Sequence, residues 1–194
     1  MVAIRLENPT LNLRPLLTAG QQTLVRASWD KMAKFAGPGS ISSCVFRSFL
    51  RNSFGGRLTD QLERFEFGAH SIELVALLNL VVRNLHNLEA KVEPELLEIG
   101  KDHSKLTSSE GLGPAVWDAF GQAIVDGISE WIGPGRNHRE TLRSWTILAT
   151  YIAGKLRAGH ESGLKERTKN KGKPSAERKR SLSLPALPTN SDTE

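Results

Sequence analysis

Residues 67–88 read FGAHSIELVALLNLVVRNLHNL. His70, Leu74, Leu77, Leu78, Val81, Leu85 and Leu88 recur at offsets of three and four. On a helix of 3.6 residues per turn those offsets fall on one face. The stretch therefore predicts a long amphipathic helix whose inward face includes an imidazole at His70. A second imidazole follows 33 residues later in Leu97-Glu98-Ile99-Gly100-Lys101-Asp102-His103. There His103 comes one turn after Ile99 and three residues before Leu106, so it too shares an apolar face.

The same period extends both ways. Thr18 can cap a first helix, with Gln21 completing a capping box. Leu24, Val25, Ser28, Trp29 and Met32 form that helix's buried stripe. Gly37-Pro38-Gly39 breaks the chain, and a second helix over about 40–51 carries Ile41, Val45, Phe46, Phe49 and Leu50. A polar segment runs from Asn52 to about Arg64. Past the long third helix, a short one spans about 94–103. Thr107 to Gly113 reads as a turn, and Pro114 suits the first position of the next helix. Val116, Phe120, Ile124, Ile128 and Trp131 stripe that helix until Gly133-Pro134-Gly135 ends it. The last helix carries Leu142, Trp145, Ala149, Ile152 and Leu156, with His160 at its end, where a partial positive charge suits the helix dipole. Sustained alternation is missing, so the expectation is an all-α domain of six or seven helices.

Size and charge bound the rest. A chain of 194 residues suits one domain with tails. The expected layout is an N-terminal arm over 1–16, a helical domain over 17–160 and a basic, Ser/Pro-containing disordered tail over 161–194. The net charge is +5, yet from Lys155 to Arg180 ten Lys/Arg face only three Asp/Glu. The basic character thus belongs to the tail, and no DNA-binding domain is expected. Contact with anionic lipid is conceivable only through that tail. Its clusters, including Arg178-Lys179-Arg180 beside Ser181 and Ser183, read first as a solubilising segment, with an address or a phosphorylation site as the alternatives. No apolar run is long enough to cross a bilayer, and the N-terminus lacks a signal-peptide core. Cys44 is the single cysteine; it reads as a small core hydrophobe in a reducing, cytoplasmic setting. His86 and His138 read as solvated, and Trp29, Trp117, Trp131 and Trp145 as core or boundary aromatics.

Two imidazoles aimed from neighbouring helices into an apolar space suit haem, whose iron takes imidazole axially while the macrocycle fills a greasy slot. Zinc fits poorly, because no cluster of three or four ligands is visible. Taken singly, either histidine reads more readily as a core or boundary residue than as a ligand.

The order of these segments resembles the globin family, specifically neuroglobin-like and invertebrate intracellular globins. The aliphatic-Gly pair leading into His103 resembles the proximal segment, and Phe67 to Leu74 the start of the distal helix. Val81 to Leu88 continues in the same manner. Leu24 to Trp29 is similar to the family's opening, and Trp145 sits where many globins carry Trp. The resemblance spans Leu17 to Gly159. It implies a globin fold of six to eight helices around a haem b (iron protoporphyrin) pocket. His103 would be the proximal iron ligand, and His70 would either hydrogen-bond a bound gas or take the sixth iron position. Phe46, Phe54, Leu74, Ile99 and Leu106 would line the haem, with Phe65 the alternative to Phe54. Ser42 and Ser71 would meet where the second and third helices cross. The stretch from Phe46 to His70 is shorter than the family's. The implied function is reversible binding of oxygen or another diatomic gas, for sensing, storage or redox signalling with a redox partner. The alternatives are a haem redox enzyme acting on nitric oxide, nitrite or peroxide, and a haem-free adaptor.

Overall fold

A computed structural model describes residues 15–35, 38–54, 67–105 and 115–171. Among the described residues there are seven helices and no strand: α1 (Ala19–Phe35), α2 (Pro38–Phe54), α3 (Phe67–Arg83), α4 (Leu88–Lys91), α5 (Glu93–His103), α6 (Ala115–Ile132) and α7 (His138–Lys171). The all-α expectation holds.

Local chemistry sets the boundaries. Thr18 N–H donates to Gln21 Oε1 (3.0 Å) and Gln21 N–H donates to Thr18 Oγ1 (3.3 Å). This reciprocal pair satisfies two donors that a helix start leaves orphaned. At the far end of α6, Gly133 takes φ +63°, which a residue with a Cβ resists. His138 Nδ1 then lies 2.7 Å from Gly133 O. His138 therefore opens α7 as a half-buried group rather than standing solvated in a loop.

The apolar stripes meet in one core. Val25, Trp29 and Met32 of α1, Leu78, Val81 and Val82 of α3, Ile124 and Ile128 of α6, and Trp145, Leu148 and Ile152 of α7 are all buried. Burial of this apolar surface is the main driving term for folding. Two indoles lock α1 in place by polar contacts as well. Trp29 Nε1 donates to Asn79 Oδ1 of α3 (2.8 Å), and Trp145 Nε1 of α7 donates to Ser28 Oγ (2.9 Å). The two rings lie 6.1 Å apart.

The broadest seams join α5 to α7, α2 to α6 and α6 to α7; α3 rests on α2 and α1. Glycines permit two of these close approaches. A Cβ at Gly100 or Gly159 would stand 2.1 Å from a backbone oxygen across the α5–α7 seam, Leu156 O and Leu97 O respectively. A Cβ at Gly127 would stand 2.8 Å from Val45 Cγ2 of α2. The expected meeting of Ser42 and Ser71 involves helices that do pack together, with Ser42 fully buried and Ser71 half-buried. The glycine-mediated approach of α2, however, is to α6.

Three expectations need correction. The longest helix is α7, with 34 residues, not the third. The third helix ends at Arg83, and its apolar face passes through a turn to buried Leu85 and on to Leu88 of α4. Most consequentially, α7 does not stop at His160. It runs on to Lys171, and His160 is 2% exposed. The stripe Trp145, Ala149, Ile152, Leu156 continues in step to His160 and Gly163, so α7 still has a partner, α5, beyond residue 160. Residues 161–171 therefore belong with the helical domain; 172–194 lie outside the described residues, as does Pro114.

Candidate functional site

His103 is the last residue of α5, and its Nδ1 lies 2.8 Å from Ile99 O one turn back. A carbonyl oxygen only accepts, so Nδ1 carries the proton and donates it. In the neutral ring this leaves the lone pair on Nε2, the form of imidazole that ligates a metal. Gly100 explains how α5 holds this pose: lacking a Cβ, it lets the helix sit against the Leu156 carbonyl of α7. The aliphatic-Gly pair before His103 is thus a packing device.

His70 lies in the first turn of α3. Its ring centroid is 6.5 Å from that of His103, with the planes at 73°. The two rings thus stand close together, edge to face. Among the described residues α3 and α5 make no broad seam with each other. His70 is exposed, contrary to an inward expectation: it stands in the first turn of α3, ahead of the buried part of its stripe. Leu74, one turn further along α3, is 4% exposed.

The other expected lining residues divide. Ile99 and Phe46 are half-buried and pack against the core. The side chain of Phe54 lies outside the described residues, as do Phe65 and Leu106.

Two residues near the site were read in the sequence only as a core or boundary aromatic, Trp117, and a helix-end histidine, His160. The Trp117 ring of α6 stands 5.5 Å from His103 at 78°, and His160 stands 5.8 Å from Trp117 at 62°. Four rings, His70, His103, Trp117 and His160, thus run in sequence from the start of α3 to α7. Burial lowers the basicity of His160, the nearby His103 adds to this, and Glu161 opposes it. Its Nδ1 has no hydrogen-bond partner. The signal for both residues was present: Trp117 leads the α6 stripe one turn before Phe120 and Gly121, and His160 extends that of α7.

Other polar clusters are structural in character. Among the described residues no three His, Cys, Asp or Glu side chains gather to hold a bare metal ion. Buried Cys44 has its thiol pushed up by desolvation, with Glu130 adding to it, which makes it a poor nucleophile. An open groove lined by Gly133, Pro134, Arg136 and His138 lies at the other end of α6 from Trp117. No helix among the described residues is long and apolar enough to cross a membrane.

The all-α fold thus brings two imidazoles from separate helices within 6.5 Å of each other, one of them donating through Nδ1 to a backbone carbonyl. Comparison with known proteins gives the class. The family model described as Globin matches residues 50–156. Globin-like protein 26 of Caenorhabditis elegans is 32% identical over 149 residues, covering 77% of this chain and 79% of that protein. The chain belongs to the globin family, and with it come a haem cofactor and a diatomic gas ligand.

Proposed function

We propose that this globin binds haem b with His103 as proximal ligand and His70 as distal residue, and that it reversibly binds oxygen in the cytoplasm for sensing, storage or redox signalling. The observation that carries this reading is the 6.5 Å apposition of the two rings, with His103 Nδ1 committed to Ile99 O. Haem iron would supply the gas-binding centre. His103 would anchor it through Nε2, with Ile99 O raising the basicity of the ligand. Leu74 and Phe46 would keep the distal side apolar, and Ile99 would pack on the proximal side.

The short ring separation favours His70 in the sixth position when no gas is bound. Gas binding then waits for His70 to leave, and the apparent affinity falls by the fraction of molecules in which it is away. The exposure of His70 supports this exchange, since its departure breaks no core packing.

The visible spectrum of the reduced, haem-reconstituted protein tests the assignment. The wild type should show a low-spin, six-coordinate spectrum. His70→Leu should retain haem with the sixth position open, and His103→Ala should lose haem or its characteristic reduced spectrum. An unchanged spectrum in His103→Ala overturns the ligand assignment. No absorption band after haem addition would leave a haem-free adaptor. Sustained turnover of nitric oxide, nitrite or peroxide that collapses in His70→Leu would instead make the protein a redox enzyme.

A further inference from the structure

The part of α7 beyond His160 closes on the end of α5 that carries His103. Gly163 faces Ser104 so closely that a Cβ there would stand 2.1 Å from Ser104 Oγ and 2.8 Å from Ser104 Cβ. Glu166 Oε2 pairs with Lys101 Nζ at 2.9 Å. Arg167 Nη1 donates to Ser104 O. The three contacts come from positions i, i+3 and i+4 of one helix face, and they land on residues 101 and 104, either side of His103. Ser104 is 1% exposed, and its Oγ donates back to Lys101 O at 2.6 Å. The family match ends at residue 156, so the α7 side of this grip lies beyond it.

The carbonyls of a helix's last turn lack intrahelical donors, and a cation there also complements the helix dipole. A guanidinium bond to such a carbonyl is charge-assisted and stronger than a neutral one. Ser104 follows His103 directly, so holding its carbonyl holds the backbone from which the imidazole projects.

We propose that Arg167 is a positioning residue for His103: by fixing Ser104 O against α7, it sets the pose in which His103 presents Nε2. The inference rests on His103 as the iron ligand. Arg167 touches neither haem nor gas and acts only through Ser104.

The test uses the full chain. In haem-free Arg167→Ala, amide exchange over residues 101–105 should accelerate about tenfold, the loss expected for one charge-assisted bond, while exchange in α1 and α6 stays as in wild type. In the haem-loaded protein carrying His70→Leu as well, whose sixth position is open, the iron–imidazole stretching band should shift or broaden, and haem release should quicken several-fold. Arg167→Lys, which keeps a cationic donor, should recover part of both. Asp118→Asn, which removes the ion pair of Arg157 between α6 and α7, should leave residues 101–105 and the stretching band unchanged. Should Arg167→Ala fail to fold, Arg167→Gln gives the same readouts. Wild-type exchange at 101–105 in the Arg167 variants overturns the proposal, and so does faster exchange with an unmoved stretching band. If the wild type takes up no haem, the ligand reading falls instead, and exchange in the haem-free chain still decides whether Arg167 holds α5.

Discussion

Gly100 shows how one missing side chain shapes the site. Its neighbours Ile99 and His103 supply the acceptor and the candidate ligand, yet α5 can carry them only where its backbone touches that of α7. A methyl group at residue 100 would meet Leu156 O at 2.1 Å and Leu156 C at 2.9 Å. Backbone atoms cannot swing aside as the end of a flexible side chain can, so α5 must lift from α7. Gly100→Ala should cost about 3 kcal/mol, at the upper end of overpacking penalties, read as a lower midpoint in urea at unchanged slope. The substitution should also increase the 6.5 Å separation of the His70 and His103 rings. Unchanged stability would show that α5 does not sit this close to α7. The sequence displayed Gly100 before His103 without its reason, because the partner atom belongs to Leu156, more than fifty residues away.

At the scale of elements, what was local proved legible and what was tertiary did not. The start of α1 was written in Thr18 and Gln21, whose side chains close on each other's backbone N–H groups. Thr18→Ala should therefore cost about 1 kcal/mol in thermal or denaturant unfolding. A cost near zero would mean that water caps the helix equally well. The rings of His70 and His103 do come close, but His70 is exposed and not inward as its stripe suggested; what put the two together in the sequence was the family resemblance. The end of α7 was misplaced because the Lys-rich composition after residue 160 resembles a solvated tail, whereas its period continues through His160, Gly163 and Arg167. The apolar positions along that face are few and small. Their role depends on the α5 backbone they approach, which a reading of α7 alone does not contain. The Asp126 cluster was invisible for the same reason. Ser48 and Asn52 of α2 both donate to Asp126 Oδ2 of α6, at 2.6 and 2.8 Å, and Gln122 donates to Oδ1 at 2.8 Å. Only the packing of α2 on α6 brings these polar residues together.

For the whole molecule, two ionisable groups tie stability to pH with the same sign in different ranges. Burial works to raise the Asp126 carboxyl, but hydrogen bonds from Ser48, Gln122 and Asn52, with Arg51 nearby, outweigh it and hold the group below its ordinary value. A carboxylate lowered in the folded state stabilises above the unfolded value of about 3.9, and that contribution is lost as pH falls through the folded value. His160 is lowered chiefly by burial, so the folded state favours the neutral ring. Below the unfolded value of about 6.5 the unfolded chain binds the extra proton more readily, and stability falls with pH towards the lowered folded value. The fold should therefore weaken in two stages on acidification, first through His160 and then, below about pH 4, through Asp126. His160→Leu separates them. It nearly conserves volume and removes the ring whose Nδ1 has no hydrogen-bond partner. At pH 7 the variant should match or exceed wild-type stability, since burying an unpaired polar atom is itself costly. Between pH 7 and 5 its unfolding free energy should be flatter than that of wild type, while the loss below pH 4 remains; Asp126→Asn should remove that lower stage and keep the upper one. A His160→Leu variant less stable by several kcal/mol at pH 7 would instead show that the imidazole has a partner in the α5–α7 seam on which the fold relies.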